Sequence, residues 1–178
     1  MADLACTPGQ TVGPYFHDAL PYPGDRELVR RGAPGSVWLH GHVYDGDDNP
    51  MPDALLEIRQ ADETGVVPEI DGSMRRDARF TGWGRSNTDP NGHYWFSTVE
   101  PAPTHPGAPA FFAVTFFARG LLDRLFTRIY LPGTTDPMLS GLSDDERSTL
   151  LAVCEEDGSL RFDVHLQGPR ETVFLRYS

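Results

Sequence analysis

A single-domain, mostly-β sandwich of short strands is the fold this sequence predicts. The 16 prolines and 18 glycines are spread along all 178 residues and cut the chain into short segments. Several of those segments alternate apolar and polar residues with the period of two that a half-buried strand requires. Turn chemistry separates them, most clearly at Asp45-Gly46-Asp47-Asp48-Asn49-Pro50 and Thr88-Asp89-Pro90-Asn91-Gly92.

Taken in order, Val37 to Tyr44 is the first strand, and Ala54 to Arg59 reads as its partner across the Asp-Gly-Asn-Pro turn. His93 to Thr98 is the third. Ala110 to Ala118 is the fourth, and its apolar character on both faces predicts burial on both sides. Thr127 to Leu131, Leu160 to Leu166 and Thr172 to Tyr177 complete the set. One short helix is expected near 143–154. Ser143 and Glu146 have capping-box spacing, and Leu150, Leu151 and Val153 supply an apolar stripe before Gly158. The polar stretch from Glu63 to Gly84 reads as a structured excursion or binding loop. The sandwich core is assigned to 36–178, preceded by an arm over 1–35.

Apolar content of 39%, with 11% aromatic residues, is enough for a packed core. A formal net charge of -11 repels phosphate backbones and argues against nucleic acid as a partner. No apolar run is long enough to span a bilayer, and Met1 to Cys6 lacks a basic region followed by an apolar one, so a cytoplasmic address is expected. Cys6 and Cys154 are then free thiols, Cys154 as a small packing residue. Basic residues cluster at Arg26/Arg30/Arg31 and Arg75/Arg76/Arg79, read here as solvated surface.

His40 and His42 share one face of the first strand, and a polar outer face on an edge strand accounts for them better than a metal does. His17, His93, His105 and His165 lack ligand spacing, and no G-x-S-x-G, P-loop or dinucleotide glycine pattern occurs. Residue chemistry alone therefore identifies no active site. It leaves open a stand-alone β-sandwich binding module without a catalytic partner, and a metalloenzyme using His40, His42, His105 or Tyr94.

Larger blocks are more specific. Thr7-Pro8-Gly9-Gln10-Thr11-Val12-Gly13-Pro14-Tyr15-Phe16 opens the series, followed by Gly41-His42-Val43-Tyr44-Asp45-Gly46, Arg59-Gln60-Ala61-Asp62 and Gly84-Arg85 before Thr88-Asp89. Phe117-Ala118-Arg119-Gly120, Thr127-Arg128-Ile129-Tyr130, Arg161-Phe162-Asp163, Gln167-Gly168 and Glu171-Thr172-Val173-Phe174 come after. In this order and spacing, from about Thr7 to Tyr177, the chain resembles the intradiol aromatic-ring-cleaving dioxygenases. Within them it is most similar to the alpha chain of the two-chain members.

That resemblance implies an iron enzyme whose homologous beta subunit binds Fe(III) through two Tyr and two His. Its substrate would be 3,4-dihydroxybenzoate (protocatechuate), opened with O₂ to β-carboxy-cis,cis-muconate in the β-ketoadipate pathway. Carried over, the two tyrosine positions fall on Val67 and Thr104, and the two histidine positions on Phe111 and Ala113. None of these is Tyr or His, so the resemblance implies no iron and no catalytic residue in this chain. Ala108 takes the place of an arginine of the catalytic chain, Arg128 that of a glutamine, and Arg59 stands where tryptophan is commoner. What remains is a pocket-lining role for Thr11, Gly13, Pro14, Tyr15 and Arg119. These implied contacts lie on the arm and the Phe-Ala-Arg-Gly motif, beside the partner's iron. Gly13-Pro14 would stiffen the turn, and Arg119 would face the substrate carboxylate.

Overall fold

Residues 10–13, 15–69 and 80–176 are described in a computed structural model of the chain. In order they form α1 Phe16–Ala19, β1 Ser36–Tyr44, β2 Leu55–Arg59, β3 Trp83–Asn87, β4 His93–Val99, β5 Phe111–Phe117 and β6 Leu125–Tyr130. These are followed by α2 Pro137–Ser140, α3 Asp144–Ser148, β7 Val153–Cys154, β8 Leu160–Arg161 and β9 Val164–His165. Two sheets stack as the sequence predicts. One runs β4-β1-β8-β7 with β9 also on β1, and the other runs β3-β2-β5-β6. Leu39, Val43, Tyr94 and Phe96 from the first sheet meet Leu56, Ile58, Phe112, Val114 and Phe116 from the second in a single core.

β1 does not pair with β2. It pairs along its length with β4, from Ser36 opposite Val99 to His42 opposite His93, and with β8 and β9 on its other side. It is therefore a central strand, which corrects the edge-strand expectation for His40 and His42. β2 lies in the opposite sheet, where it pairs with β5. The expected strand over 160–166 is one track interrupted at Phe162–Asp163. There the Phe162 carbonyl turns to accept from the Tyr94 hydroxyl at 2.5 Å, and the Asp163 carboxylate accepts the His42 N–H at 2.9 Å. Gly41 lies beneath this crossing, where a Cβ would sit 1.8 Å from the Phe162 oxygen.

Four further expectations need correction. β5 alternates: Phe112, Val114 and Phe116 are buried while Phe111, Ala113, Thr115 and Phe117 are half-buried, so burial on both sides is not reached within this chain. The capping box forms at Ser143 and Glu146, but the helix ends at Ser148, because the backbones of Leu150 and Ala152 bond instead to Tyr130 at 2.9 Å each. Cys154 consequently sits exposed in β7 and packs against no core. The segment from Thr172 forms no regular strand over its described residues. Its groups bond singly, as where the Leu175 N–H donates to Phe126. Cys6, the Arg75/Arg76/Arg79 cluster and Tyr177 lie outside the described residues.

The arm is tied to the sandwich. Leu28 is fully buried in the core, Glu27 bridges Ser97, and Arg85, paired with Glu57 at 2.9 Å, donates to the Leu20 carbonyl at 3.1 Å. Arg26 and Arg31 lie over the rings of Trp95 and Trp38, so this cluster covers aromatic surface as well as meeting solvent. No helix of the described residues is long and apolar enough to cross a membrane.

Candidate functional site

The first candidate region is where the arm meets the end of β5. The Gly120 N–H donates to Thr11 Oγ1 at 2.8 Å, and the Phe16 and Phe117 rings lie 5.4 Å apart. Gly120 adopts a left-handed φ of 92°, which turns the chain and presents its N–H to the arm. Next to it, Arg119 Nε pairs with Asp53 Oδ2 at 3.0 Å. The guanidinium side is 61% exposed while Asp53 is 10% exposed, so the pair has its anion fixed in the protein and its cation facing outward. Asp53 Oδ1 is buried without a hydrogen-bond partner among the described residues. Thr11 and Arg119 are thus brought together. Gly13 borders open space and its carbonyl accepts the Phe16 N–H, starting α1. The Tyr15 side chain is 77% exposed and is not seated on this chain, and Pro14 lies outside the described residues. Asp53 was missed in the sequence, where nothing local links it to Arg119.

The second region is a cavity of about 470 Å³ over the outer face of the β2-β5-β6 sheet. Val67, Thr104, Phe111 and Ala113, the four positions given by the family resemblance, all line it. Two of them are brought together by loops in close contact. The Ala102 N–H bonds the Asp62 carbonyl at 2.9 Å, and a Cβ on Gly65 would lie 2.2 Å from the Pro103 oxygen. Phe111 and Ala113 follow from β5 with side chains on one face. The donor set does not fit ferric iron. The four positions offer two alkyl groups, a phenyl ring and one neutral hydroxyl, and the described residues contain no group of three His, Cys, Asp or Glu able to hold a metal.

Asp136, the carboxylate of this cavity, is committed elsewhere. It accepts from Tyr130 Oη at 2.7 Å, from Arg128 Nη1 at 3.1 Å and from the Met138 N–H at 2.9 Å, the last as the N-cap of α2. Burial alone would raise its pKa, but these donors and the Arg128 charge outweigh it and leave it below the ordinary carboxylate value. Tyr130 is pushed up to about 12, first by burial and then by its bond to Asp136. Arg128 also lies over the Phe111 ring at 4.2 Å.

His40, His42 and His93 gather on the outer face of the other sheet, with His93 5.8 Å and 5.1 Å from the other two ring centres. Burial, and then the neighbouring His42, lower the pKa of His93. His40 Nε2 lies 3.1 Å from Glu155, giving the ring a hydrogen-bonding role in the surface.

The geometry has counterparts in known proteins. A family model described as Dioxygenase matches residues 11–168. The chain is 35% identical over 196 residues to the protocatechuate 3,4-dioxygenase alpha chain of Burkholderia cepacia, covering 98% of this chain and 99% of that one. It is 29% identical over 188 residues to the protocatechuate 3,4-dioxygenase beta chain of the same organism, covering 94% of this chain and 78% of that one. Among solved structures, the dioxygenase domain of a dioxygenase carbohydrate-binding protein fusion from Streptomyces sp. SirexAA-E aligns with a TM-score of 0.63 at 26% identity, over 91% of this chain and 98% of that one. With a family match across most of its length and a near-full-length relative, this chain belongs to the intradiol ring-cleaving dioxygenase family.

Proposed function

We propose that this chain is the non-catalytic alpha subunit of a two-chain, cytoplasmic dioxygenase that opens 3,4-dihydroxybenzoate (protocatechuate) with O₂. The observation that carries this is the cavity in which all four inherited ligand positions converge without a ligand set for iron. Fe(III) then belongs to a homologous beta subunit, and this chain supplies binding and shape.

Its own residues have defined tasks in that reading. Arg119, aimed outward from the fixed Asp53 carboxylate, meets the substrate carboxylate or the mouth of the partner's pocket. Thr11 holds the arm against Gly120 and so sets where Gly13, Pro14 and Tyr15 enter the partner's site. Segment 1–35 serves as an interface arm, anchored at Leu28 in the sandwich core. Gly13, with open space around its Cα, lets the backbone approach the substrate closely.

The test is co-expression with a homologous chain that carries two Tyr and two His. Oxygen uptake on 3,4-dihydroxybenzoate is expected only with both chains. Arg119→Ala in the assembled enzyme should raise KM about tenfold, the worth of one charge-assisted contact, with bound iron unchanged. Stoichiometric iron and turnover in this chain purified alone would overturn the assignment.

A further inference from the structure

The cavity over β5 has a charge pattern that metal loss does not explain. Arg59 on β2 lies opposite Ala113 on β5, and Ala113 lies opposite Arg128 on β6. Directly opposed residues project to the same face, so two arginine stems flank one methyl group. With strands about 4.8 Å apart, the two arginine Cα atoms are separated by roughly 10 Å. Ala113 keeps the floor between them low, and the 470 Å³ above it falls within the roughly 300–1,000 Å³ of small-molecule sites.

The electrostatics favour an anion. Two guanidinium groups stand against the single carboxylate of Asp136, in a chain whose overall charge is -11. Arg128 is held by Asp136 and by the Phe111 ring, while Arg59 is exposed and pairs with no carboxylate among the described residues. Gln60, Thr104 and His105 add neutral polar groups to the lining, while Phe111, Val67 and Pro109 offer an apolar surface for a flat ring. A ring with one carboxylate meets both demands, whereas an inorganic anion would leave the apolar wall uncovered.

We propose that this cavity is a second, non-catalytic binding site for a small aromatic carboxylate, its ring on the Phe111 side and its carboxylate at Arg59 across Ala113. The site is built by this chain alone and depends neither on a partner nor on iron. It therefore stands or falls separately from the subunit assignment.

The test is calorimetric titration of the full chain with 4-hydroxybenzoate, which lacks the catechol pair, using acetate and phenol as controls. Saturable one-to-one binding is expected, with both controls at least about tenfold weaker, since each keeps only half of the recognition. Arg59→Ala should weaken binding about tenfold or more, Ala113→Leu should remove it by filling the floor, and Arg119→Ala should leave it intact. The absence of saturable binding, acetate binding as tightly as the aromatic acid, or indifference to both Arg59→Ala and Ala113→Leu would each overturn the proposal. In the assembled enzyme, a binding step lost with Arg59→Ala while turnover persists supports it. A single step lost only with Arg119→Ala refutes it.

Discussion

At the scale of single residues, Tyr130 and Asp136 show how a group next to the cavity is set by its neighbours. Tyr130 has no exposed surface and donates to Asp136, and its pKa is raised to about 12. A folded-state value above the unfolded one means that the contribution is complete below about pH 10 and is lost as pH rises through about 12. At about 1.4 kcal/mol per pH unit this amounts to roughly 2–3 kcal/mol. Tyr130→Phe should therefore flatten the loss of stability between about pH 10 and pH 12, read from urea midpoints across that range. An alkaline limb as steep as in the parent would assign it to another group. Asp136 has the opposite sign: its lowered value stabilises the fold above the ordinary carboxylate range and is lost as pH falls through it. Much of the site was legible at this scale, because the replaced positions Phe111 and Ala113 are fixed by their place in one strand. Asp53 and Asp136 were not, since their roles arise from contacts that only the folded chain creates.

At the scale of elements, strands with an apolar inner row were readable and those without one were not. β3 has no counterpart among the expected strands: Trp83 and Gly84 fall at the end of the polar stretch from Glu63 to Gly84, and the inward residues Gly84 and Ser86 carry no hydrophobic signal. The helix start at Ser143 was legible from its capping box, yet its end was set by Tyr130, a tertiary partner with no local trace. The break between β8 and β9 is also tertiary, and Gly41 provides the room for it. An added Cβ would press on the Phe162 carbonyl carbon and oxygen at 2.6 Å and 1.8 Å, both backbone atoms that cannot swing aside. Gly41→Ala should cost on the order of 4 kcal/mol or prevent folding, since the clash falls in a central strand. Gly13→Ala is the informative contrast, with nothing within 4 Å of the new methyl. Its melting temperature should match the parent while turnover of the assembled enzyme falls. If both variants melt alike, the crossing at Phe162 yields more readily than this geometry allows.

At the scale of the whole molecule, the surface is unevenly finished. The sandwich core is closed, but the outer face of β5 keeps Phe111 and Phe117 half-buried, and the arm carries a Tyr15 that is 77% exposed. Aromatic residues are enriched at protein interfaces, where a rigid ring adds contact area at little entropic cost. A hydrophobic core explains why the two sheets stack, and the strand pattern announced that much in advance. Nothing in the periodicity of the chain could announce that one of its aromatic residues would find no seat at home. Tyr15 separates folding from assembly for this reason. Tyr15→Ala removes a ring that contributes little to the chain's own stability, so denaturation of the isolated chain should be unchanged within about 0.5 kcal/mol. The same substitution should weaken association with the beta subunit by about 2 kcal/mol if Tyr15 is a buried anchor there, a roughly thirtyfold rise in Kd measurable by analytical ultracentrifugation. Equal affinity for the two forms would take Tyr15 out of the interface and leave the arm's role to its contacts within the chain at Thr11, Phe16 and Leu28.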